Sequence, residues 1–385
     1  MTTPPRRTDN VPPATLVTAR EHLEEVVCEL RQEPRLALDT ESNGFYAYQE
    51  KVCLVQISSA REDFVIDPIA IRDLSALAAV TEDPRIEKVF HAGEYDILCL
   101  KRDYGFRFAN LFDTMIAGRI LGVKELGLAA AIQRHFGLTL SKKLQRADWG
   151  RRPLSDEHFR YAQFDTHFLL DLADILKAQL QEKGRAEDAA EACAQLALLR
   201  PVVRTFDPEG FWRLAGRNRL SGPQLACLKE IYLLRERHAR VLDRAPFRVM
   251  AEDLMVRLAL ALPSSESEVA RVRGMSPYLL RKFAGAICEA VARGLACEPP
   301  SQPPRSSSRR SGKERRLFEE LRQWRKAQAA REGVEPVVIL DSESLQEIAG
   351  RAAAQEADPL EGLSELKRQR YGTQLQSMLK PYSSP

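Results

Sequence analysis

The chain has 385 residues, more than a single hydrophobic core usually supports, so two or three domains are expected. Its 44% content of hydrophobic residues is ordinary for a globular protein and excludes a fibrous or wholly disordered chain. The formal net charge of +3 is close to neutral, so a nucleic-acid surface would have to come from local basic patches rather than from bulk charge.

The cysteines and the amino terminus indicate the compartment. The seven cysteines show no C-x-x-C pair and no framework spacing, which is typical of reduced thiols in the cytoplasm. The segment MTTPPRRTDNVPPA lacks the apolar core of a signal peptide, and no run of about 18 apolar residues suits a membrane span. We therefore expect a cytoplasmic protein without a membrane span, and a monomer is the favoured oligomeric state.

The first half of the chain alternates strand-like and helix-like segments. Residues 1–14 are rich in proline and polar side chains, which predicts a disordered amino terminus. From Arg35 onward, apolar runs predict a strand meander, a helix, another strand and further helices. The first of these runs lie at residues 36–41, 52–58, 64–67, 73–81 and 88–91. Together they predict an α/β domain over residues 15–205.

The second half is predicted to be helical and to contain a repeat. Almost no strand signal remains there, and a Pro/Ser/Arg-rich tract at 298–313 is typical of a flexible linker. Apolar positions on the two sides of this tract correspond at a constant offset of 88 residues, beginning with Gly274 and Gly362. An offset held over several positions predicts two related helical domains, at 210–297 and 314–382.

An acidic pair ends the first predicted strand. Asp39 and Glu41 stand at positions i and i+2, and alternate side chains of a strand point to one face. Two buried carboxylates on one face repel each other unless cations neutralise them, which suits Mg²⁺ or Mn²⁺. Taken alone, the pair is weak evidence, because a polar strand end is the commoner explanation.

Two later segments carry further acidic residues. In His91-Ala-Gly-Glu-Tyr-Asp96, the glycine allows a tight passage from strand to helix, and Asp96 falls in the first helical turn. Asp96 could simply favour the helix dipole there, and His91 is typical of a packed strand-end residue. Tyr161 and Asp165 stand at i and i+4 on one helix face, where they could orient a water or form an ordinary surface hydrogen bond.

In this order, the three segments resemble the motifs of DEDDy-type 3′→5′ exonucleases, whose third motif carries a tyrosine. The stretch LSKKLQRADWGRRPL, which begins at Leu140 and runs on towards Tyr161-x-x-x-Asp165, resembles the ribonuclease D family more narrowly. Phe112-Asp-Thr fits a strand-to-helix segment of the same family. The resemblance covers about residues 30–180.

The helical half resembles the same family. Phe211-Trp-Arg and the residues as far as Leu225 resemble the start of a first HRDC domain, named for helicase and ribonuclease D C-terminal. The helix that begins at Leu317 resembles the opening helix of a second. The resemblance therefore implies an α/β ribonuclease H-like exonuclease domain, with a mixed sheet flanked by helices, followed by two all-α HRDC-like domains.

The resemblance also implies an activity. It implies a 3′→5′ exoribonuclease that releases nucleoside 5′-monophosphates and matures the 3′ ends of transfer RNA precursors and other stable RNA. Two divalent ions, Mg²⁺ or Mn²⁺, would be its cofactors. Carried over by position, the family's pattern makes four carboxylates the metal ligands and one phenol the water-orienting group: Asp39, Glu41, Asp96 and Asp165, and Tyr161.

The chemistry of phosphodiester hydrolysis suits an acidic site. Two divalent ions can lower the pKa of an attacking water and stabilise the leaving 3′ oxygen. Histidine or cysteine ligands would favour zinc instead, and the six histidines show no zinc-binding spacing. The sequence contains no glycine-rich phosphate loop, which argues against an NTPase.

RNA contacts are expected to go mainly to the phosphate backbone. Phe45, Tyr46 and Tyr48 follow the first motif and could stack on terminal bases or belong to the core. Residues 305–331 hold ten basic and three acidic side chains, which could lengthen the RNA footprint or serve solubility. Five basic residues before the third motif could meet phosphates or form a solvated surface: Lys142, Lys143, Arg146, Arg151 and Arg152.

Two other functions stay open. The same acidic site serves DNA 3′→5′ exonucleases, and recognition of the 2′-hydroxyl cannot be read from a sequence. The absence of a polymerase or helicase segment weighs against this alternative. The other alternative is a nucleic-acid-binding module that has lost catalysis, and the intact acidic positions count against it.

Overall fold

A computed structural model describes residues 11–201, 205–216, 220–301 and 311–383. Its strands are β1 Thr15–Val17, β2 Arg35–Ser42, β3 Val52–Ser58, β4 Asp63–Ile66, β5 Glu87–Phe90 and β6 Leu111–Asp113. Within the described residues these six strands form one sheet in the order β1-β4-β3-β2-β5-β6. Strands β2, β3 and β4 make the antiparallel meander that the sequence predicts, whereas the other neighbouring pairs are parallel. The predicted mixed sheet is confirmed.

Helices flank the sheet on both faces, as predicted. They are α1 Arg20–Leu30, α2 Pro68–Ile71, α3 Ala78–Thr81, α4 Glu94–Tyr104, α5 Thr114–Ile120, α6 Leu128–Phe136, α7 Asp156–His167, α8 Leu169–Glu182 and α9 Ala186–Leu198. Alternation along β2 sends Leu36 and Leu38 into the core that includes α1 and α4, and Ala37 into the core that includes α5 and α8. Asp39 and Glu41 continue the Ala37 face, so β2 presents them towards α7 and α8.

The amino terminus is more ordered than its composition predicts. The expected disorder of residues 1–14 is wrong for residues 11–14, because Val11 is buried and the Pro12 carbonyl accepts a hydrogen bond of 2.8 Å from Gln163 Nε2. Residues 1–10 lie outside the described residues. Strand β1 and helix α1, which follow, are missing from the sequence-based prediction, although α1 buries apolar residues at helical spacing: Leu23, Val26, Val27 and Leu30.

Two helical domains follow the α/β domain. The first helical domain contains α10 Trp212–Ala215, α11 Gly222–Val241, α12 Pro246–Val249, α13 Glu252–Ala261, α14 Glu266–Arg271 and α15 Pro277–Ala296. The second contains α16 Gly312–Glu332, α17 Pro336–Ile339, α18 Ser342–Ala353 and α19 Glu365–Ser383. Most of the predicted linker at 298–313 lies outside the described residues, and its last two residues belong to α16 instead.

The predicted repeat is visible in the backbone. Gly274 and Gly362 both adopt the left-handed conformation, with φ of 99° and 95°, which a residue without a Cβ tolerates best. Helices α15 and α19 follow these glycines. The apolar positions that the sequence matches across the 88-residue offset are buried on both helices: Phe283 with Tyr371, Ile287 with Leu375, and Val291 with Leu379.

The first helical domain contacts the loop that follows β2. The backbone N–H of Ala245 donates to the carbonyl of Tyr46 at 2.9 Å, and the Arg248 side chain donates to the carbonyl of Phe45. Tyr48 packs against the core of the helical domain, and its hydroxyl contacts Glu236. We call this set of contacts the aromatic junction.

The second helical domain contacts a different part of the α/β domain, at the start of α9. Asp188 is almost wholly buried there and forms ion pairs with Lys367, at 3.1 Å, and with Arg370, while Arg185 pairs with Glu332. We call these five residues the Asp188 node. Within the described residues, no helix combines the length and apolar character that crossing a membrane requires.

Candidate active site

The end of β2 supplies the first two carboxylates of the candidate site. Asp39 and Glu41 lie on one face of the strand, as the i, i+2 spacing predicts, and each interacts electrostatically with Asp96 and Asp165. Strand β2 pairs with β5 only through residues 35–37, so its last residues extend beyond that neighbour. This free edge leaves room for the residues that follow β5.

Asp96 reaches the site because β5 ends abruptly. The chain turns at residues 91–93, and a Cβ on Gly93 would lie 2.5 Å from the Phe90 side chain, so only glycine fits this turn. Asp96 then stands in the first turn of α4, as predicted, and its Oδ1 accepts hydrogen bonds from the Thr40 N–H at 3.1 Å and the Thr40 hydroxyl at 2.5 Å. The Asp96 carboxylate thus accepts a backbone hydrogen bond from β2 at a position where β5 no longer pairs with that strand.

Asp113 holds the turn that delivers Asp96. Its carboxylate caps α5 by accepting from the N–H groups of residues 115 and 116, and it also accepts from the backbone N–H groups of Ala92 at 3.2 Å and Gly93 at 2.8 Å. The hydroxyl of Thr114 contacts His91 Nδ1 at 2.9 Å. The sequence places this segment between a strand and a helix, and the structure adds its role in bracing the turn.

Helix α7 brings Tyr161 and Asp165 to the same side of the sheet. Three buried residues between and beyond them fix the helix, a role that the sequence-based prediction missed. Gln163 Nε2 and His167 Nδ1 both contact Asp63 Oδ2 of β4 at 2.7 Å, and the Thr166 hydroxyl contacts the Ser58 hydroxyl at 2.7 Å. A signal for this was present, because polar residues stand on the inward face of a helix that packs on strands.

Burial and mutual repulsion shift the carboxylates' affinity for protons. Burial raises the pKa of Asp165 to about 7, with a further contribution from Asp96. Burial also raises the pKa of Asp96 to about 6, although hydrogen bonds from Thr40 oppose the rise. The pKa values of Asp39 and Glu41 are raised well above the usual range by burial and by the neighbouring carboxylates. The ionised form of the four groups is therefore disfavoured together, and they tend to retain protons unless a cation joins them.

The carboxylate cluster has no counter-ion in the part of the chain that the structure describes. Among the described residues, no lysine, arginine or histidine forms an ion pair with Asp39, Glu41, Asp96 or Asp165. Nor do any three His, Cys, Asp or Glu side chains in the described part of the chain stand close enough to share one ion as they are placed. An all-oxygen donor set with unbalanced charge nevertheless fits hard divalent cations, which would relieve the repulsion that separates the carboxylates.

Tyr161 stands beside the cluster and remains protonated at neutral pH. Burial and the charges of Asp165, Glu41 and Asp39 raise the pKa of its phenol beyond the usual range, so the hydroxyl is available as a hydrogen-bond donor. The ring packs on Trp149 at 5.8 Å between centroids. A cleft of about 290 Å³ opens alongside and is lined by residues 139–141, 144, 157, 160, 161, 164 and 165.

Gln56 is a further polar residue of this face that sequence reasoning missed. It stands directly opposite Asp39 in the β2–β3 ladder, so the two side chains point to the same side of the sheet. Gln56 is fully buried, and neither Oε1 nor Nε2 of its amide has a hydrogen-bond partner among the described residues. The apolar residues around it in β3 hide its position from a reading of the sequence.

The basic and aromatic residues proposed for RNA contacts fall into two groups. The first group is exposed: Phe45, Lys142, Lys143, Arg146 and Arg151. Lys143 pairs with Glu157 at 3.0 Å on the surface. Of the basic stretch at 305–331, residues 305–310 lie outside the described residues, Ser311 caps α16, and residues 312–331 belong to that helix. The structure leaves the first group accessible to a ligand.

The second group, Tyr46, Tyr48 and Arg152, is engaged within the protein, which weighs against the RNA contacts proposed for these residues. The guanidinium of Arg152 binds both carboxylate oxygens of Asp67, at 2.7 and 2.8 Å, and also donates to the carbonyls of Trp149 and Cys53, so Arg152 is structural. Arg248 covers the Tyr46 ring at 3.7 Å, and the Tyr46 hydroxyl donates to a backbone carbonyl. Tyr46 and Tyr48 therefore join two domains and do not stand free for bases.

Comparison with known proteins shows the family to which the chain belongs. A protein-family model described as 3′-5′ exonuclease matches residues 14–181, and the model of the HRDC domain matches residues 224–291 and 314–379. Ribonuclease D of Pseudomonas paraeruginosa is 34% identical over 281 residues, which cover 72% of this chain and 73% of the relative. The chain belongs to the ribonuclease D family. The predicted resemblance is thereby confirmed.

Similar proteins also include two eukaryotic relatives and a bacterial RNase D of known structure. The exosome complex component 10 homolog of Caenorhabditis elegans is 32% identical over 287 residues, but the chain spans only 32% of its length. The crystal structure of the catalytic core of RRP6 from Trypanosoma brucei is 34% identical, with a TM-score of 0.70 over 77% of this chain and 83% of that one. RNase D of Escherichia coli is 25% identical, with a TM-score of 0.65 over 96% of this chain and 100% of that one.

Proposed function

We propose that this chain is a metal-dependent 3′→5′ exoribonuclease that releases nucleoside 5′-monophosphates. The observation that carries the proposal is the convergence of four poorly solvated carboxylates from β2, α4 and α7, which lack a cation partner among the described residues. Unpaired anions in such surroundings are costly unless a positive charge joins them. Membership of the ribonuclease D family supports the same reading.

Each residue of the site has a part in this proposal. Asp39, Glu41, Asp96 and Asp165 would hold two Mg²⁺ or Mn²⁺ ions, which when bound lower the pKa of an attacking water and stabilise the leaving 3′ oxygen. Thr40 fixes one oxygen of Asp96, so that carboxylate is pre-oriented. Tyr161 would hydrogen-bond to the attacking water and orient it, because its phenol keeps its proton.

The substrate we propose is the 3′ end of structured RNA, such as transfer RNA precursors. The E. coli relative is described as an exoribonuclease involved in structured RNA processing, and we extend that description to this chain. Phosphate contacts would come from exposed basic residues before α7: Lys142, Lys143, Arg146 and Arg151. We propose residues 15–205 as the exonuclease domain and 210–297 and 314–382 as two HRDC domains.

The experiment that tests the proposal compares matched oligonucleotides. RNA and DNA of one sequence, labelled at the 5′ or the 3′ end, are incubated with the protein in Mg²⁺, Mn²⁺ or EDTA. We expect 5′-labelled RNA to shorten stepwise, 3′-labelled RNA to yield a labelled 5′-mononucleotide at once, and EDTA to stop both. Release of 3′-monophosphates, or cleavage of a circular RNA, would contradict the mechanism. Faster degradation of DNA than of RNA would make this a DNA exonuclease instead.

A further inference from the structure

Exposed aromatic side chains gather where the α/β domain meets the first helical domain. Phe45 is 51% exposed, Phe247 is 52% exposed, and their rings meet edge to face with centroids 6.5 Å apart. Tyr278 of α15 is 45% exposed. Large aromatic rings are seldom left this open on both sides of a domain boundary, since burying them stabilises a fold by about 2 kcal/mol each.

Basic side chains accompany these rings. The Arg146 guanidinium lies 5.9 Å from the centre of the Phe45 ring, and the Tyr278 hydroxyl contacts Arg244 at 3.5 Å and Lys282 at 3.3 Å. Arg244 stands three residues before Phe247 in the chain, so one of the two cations that contact Tyr278 is close in sequence to the Phe45–Phe247 ring pair. None of these three cations forms an ion pair with a described residue, whereas many other arginines of the chain do.

This surface continues into the candidate active site. The loop that carries Phe45 begins immediately after the strand end that presents Glu41, and the Tyr46 hydroxyl donates to the Arg146 carbonyl at 2.9 Å. Arg146 belongs to the segment whose Leu144 lines the cleft beside Tyr161. A chain leaving the cleft along this segment would meet Arg146 and Phe45 first and the helical domain next.

We propose that this surface binds the single-stranded part of RNA that precedes the 3′ end held in the active site. We call it the aromatic–cationic strip: Phe45, Arg146, Arg244, Phe247, Tyr278 and Lys282. The proposal rests on the proposed function for its orientation, with the 3′ end in the cleft. Unstacked bases can stack on open aromatic rings, and unpaired cations can contact the phosphates between them. A double helix cannot use the rings, because its bases are already stacked, so the strip favours single strands.

Binding in EDTA tests the strip without any need for catalysis. Fluorescence anisotropy of a labelled single-stranded RNA of about 12 nucleotides is measured with the full-length protein and with the double variant Phe247→Ala/Tyr278→Ala. We expect the variant to bind roughly thirtyfold more weakly, because each of the two lost stacking contacts weakens affinity at least about fivefold. The control is Leu295→Ala, which removes an equally exposed apolar side chain (52%) from the same domain and should bind like the parent.

A charge variant tests the same surface independently. We expect Arg244→Ala/Lys282→Ala to reduce the slope of log affinity against log salt by about 1.4, because each phosphate contact to a single strand contributes about 0.7. The matched control is Arg107→Ala/Lys124→Ala, which removes two exposed cations that form no ion pair with described residues and lie outside the strip. That control should leave the slope unchanged. Melting curves establish that every variant is folded.

The outcomes separate the strip from the proposed function. Unchanged affinity in the aromatic variant together with an unchanged salt slope in the charge variant would overturn the strip. If the aromatic variant lost affinity for single-stranded and fully duplex RNA to the same extent, the strip would also be overturned. Rings that stack on unpaired bases should contribute to the binding of single strands and not of duplexes. If the parent protein bound single strands through the strip but cleaved no RNA, the proposed function would fail while the strip stood.

Discussion

Two regions of the molecule bury acidic side chains, and the pKa values of these side chains shift in opposite directions. At the Asp188 node, burial alone would raise the pKa of Asp188, but Lys367 and Arg370 outweigh it and hold that pKa below its usual range. In the candidate active site, burial also acts on Asp39, Glu41, Asp96 and Asp165, and there the neighbours are further carboxylates, so the pKa values rise.

The difference teaches that burial does not by itself identify a functional acid. A buried carboxylate with cation partners fastens two elements together, and Asp188 fastens the second helical domain to α9. A cluster of buried carboxylates without such partners destabilises the fold and must be retained for another reason. Substitutions that remove one charge should therefore have opposite effects on stability in the two regions.

The largest effect is expected from a charge removed in the active site. Asp165→Asn should lower turnover on RNA at least about a hundredfold, because it weakens a shared metal site. At pH 8, where Asp165 with its pKa of about 7 is mostly ionised, the same variant should melt at a higher temperature than the parent in EDTA, because one repelling charge is gone. The control is Asp156→Asn on the same helix, which is exposed and should change neither property appreciably. Near-normal turnover would remove Asp165 from the site.

The Asp188 node should respond in the opposite sense. Asp188→Asn should reduce the free energy of unfolding by about 3 kcal/mol, because it leaves partly buried cations without their partner. Turnover on RNA well below the melting temperature should stay close to that of the parent. Denaturant unfolding of Asp188→Asn beside Glu187→Gln, its exposed neighbour with the same change in charge, makes the measurement. A variant as stable as the parent would show that the node does not fasten the domains.

The pH dependence of stability also distinguishes the active site from the Asp188 node. Asp96 and Asp165 have folded-state pKa values of about 6 and 7, above the value of about 4 in the unfolded chain. Their protonation stabilises the fold at low pH, and that stabilisation disappears as the pH rises through these values. In EDTA, the melting temperature should therefore fall between about pH 5 and pH 8.

Two variants identify the source of that slope. Asp165→Asn should flatten it, whereas Asp188→Asn should shift the whole curve downward without changing its shape, because Asp188 is ionised throughout this range. Adding Mg²⁺ at the upper end should restore stability, since a ligand that binds only the folded state stabilises it. A parent curve that rises with pH in EDTA would contradict the shifted pKa values.

The smallest effect is expected where a charge pair is exposed. Lys143 and Glu157 form an ion pair at 3.0 Å on the surface, and such pairs contribute little because water screens them. Lys143→Ala should leave the melting temperature unchanged within measurement error. A decrease comparable to that of Asp188→Asn would show that exposure is a poor guide to the strength of these pairs.

Much of the active site could be predicted because its geometry is local. The i, i+2 spacing of Asp39 and Glu41 and the i, i+4 spacing of Tyr161 and Asp165 need only a strand and a helix to put each pair on one face. The meeting of the three segments depends on sheet order, which the family resemblance supplied. The hydrogen bonds that hold α7 to Asp63 and the burial of Gln56 were not predicted, because both depend on which strands are neighbours.

The domain contacts could not be predicted for a related reason. Tyr46 and Tyr48 look like free aromatic residues in a polar loop until the first helical domain covers them. Arg152 looks like one of five similar cations until Asp67, 85 residues away in sequence, is found beside it. Arg152 differs from Arg146 in having an ion pair with a distant residue, Asp67, and nothing in the local sequence records that pair.

Gln56 shows how far this sheet departs from what stability alone would favour. An amide buried without a partner among the described residues costs about 1–3 kcal/mol, and a methionine of similar shape would avoid that cost. In the language of folding landscapes, the residue is locally frustrated, and it faces the strand position of Asp39, which is itself part of a destabilising cluster. A library varied at this position and selected for thermal resistance should enrich methionine or leucine. The same library selected for RNA degradation should keep glutamine.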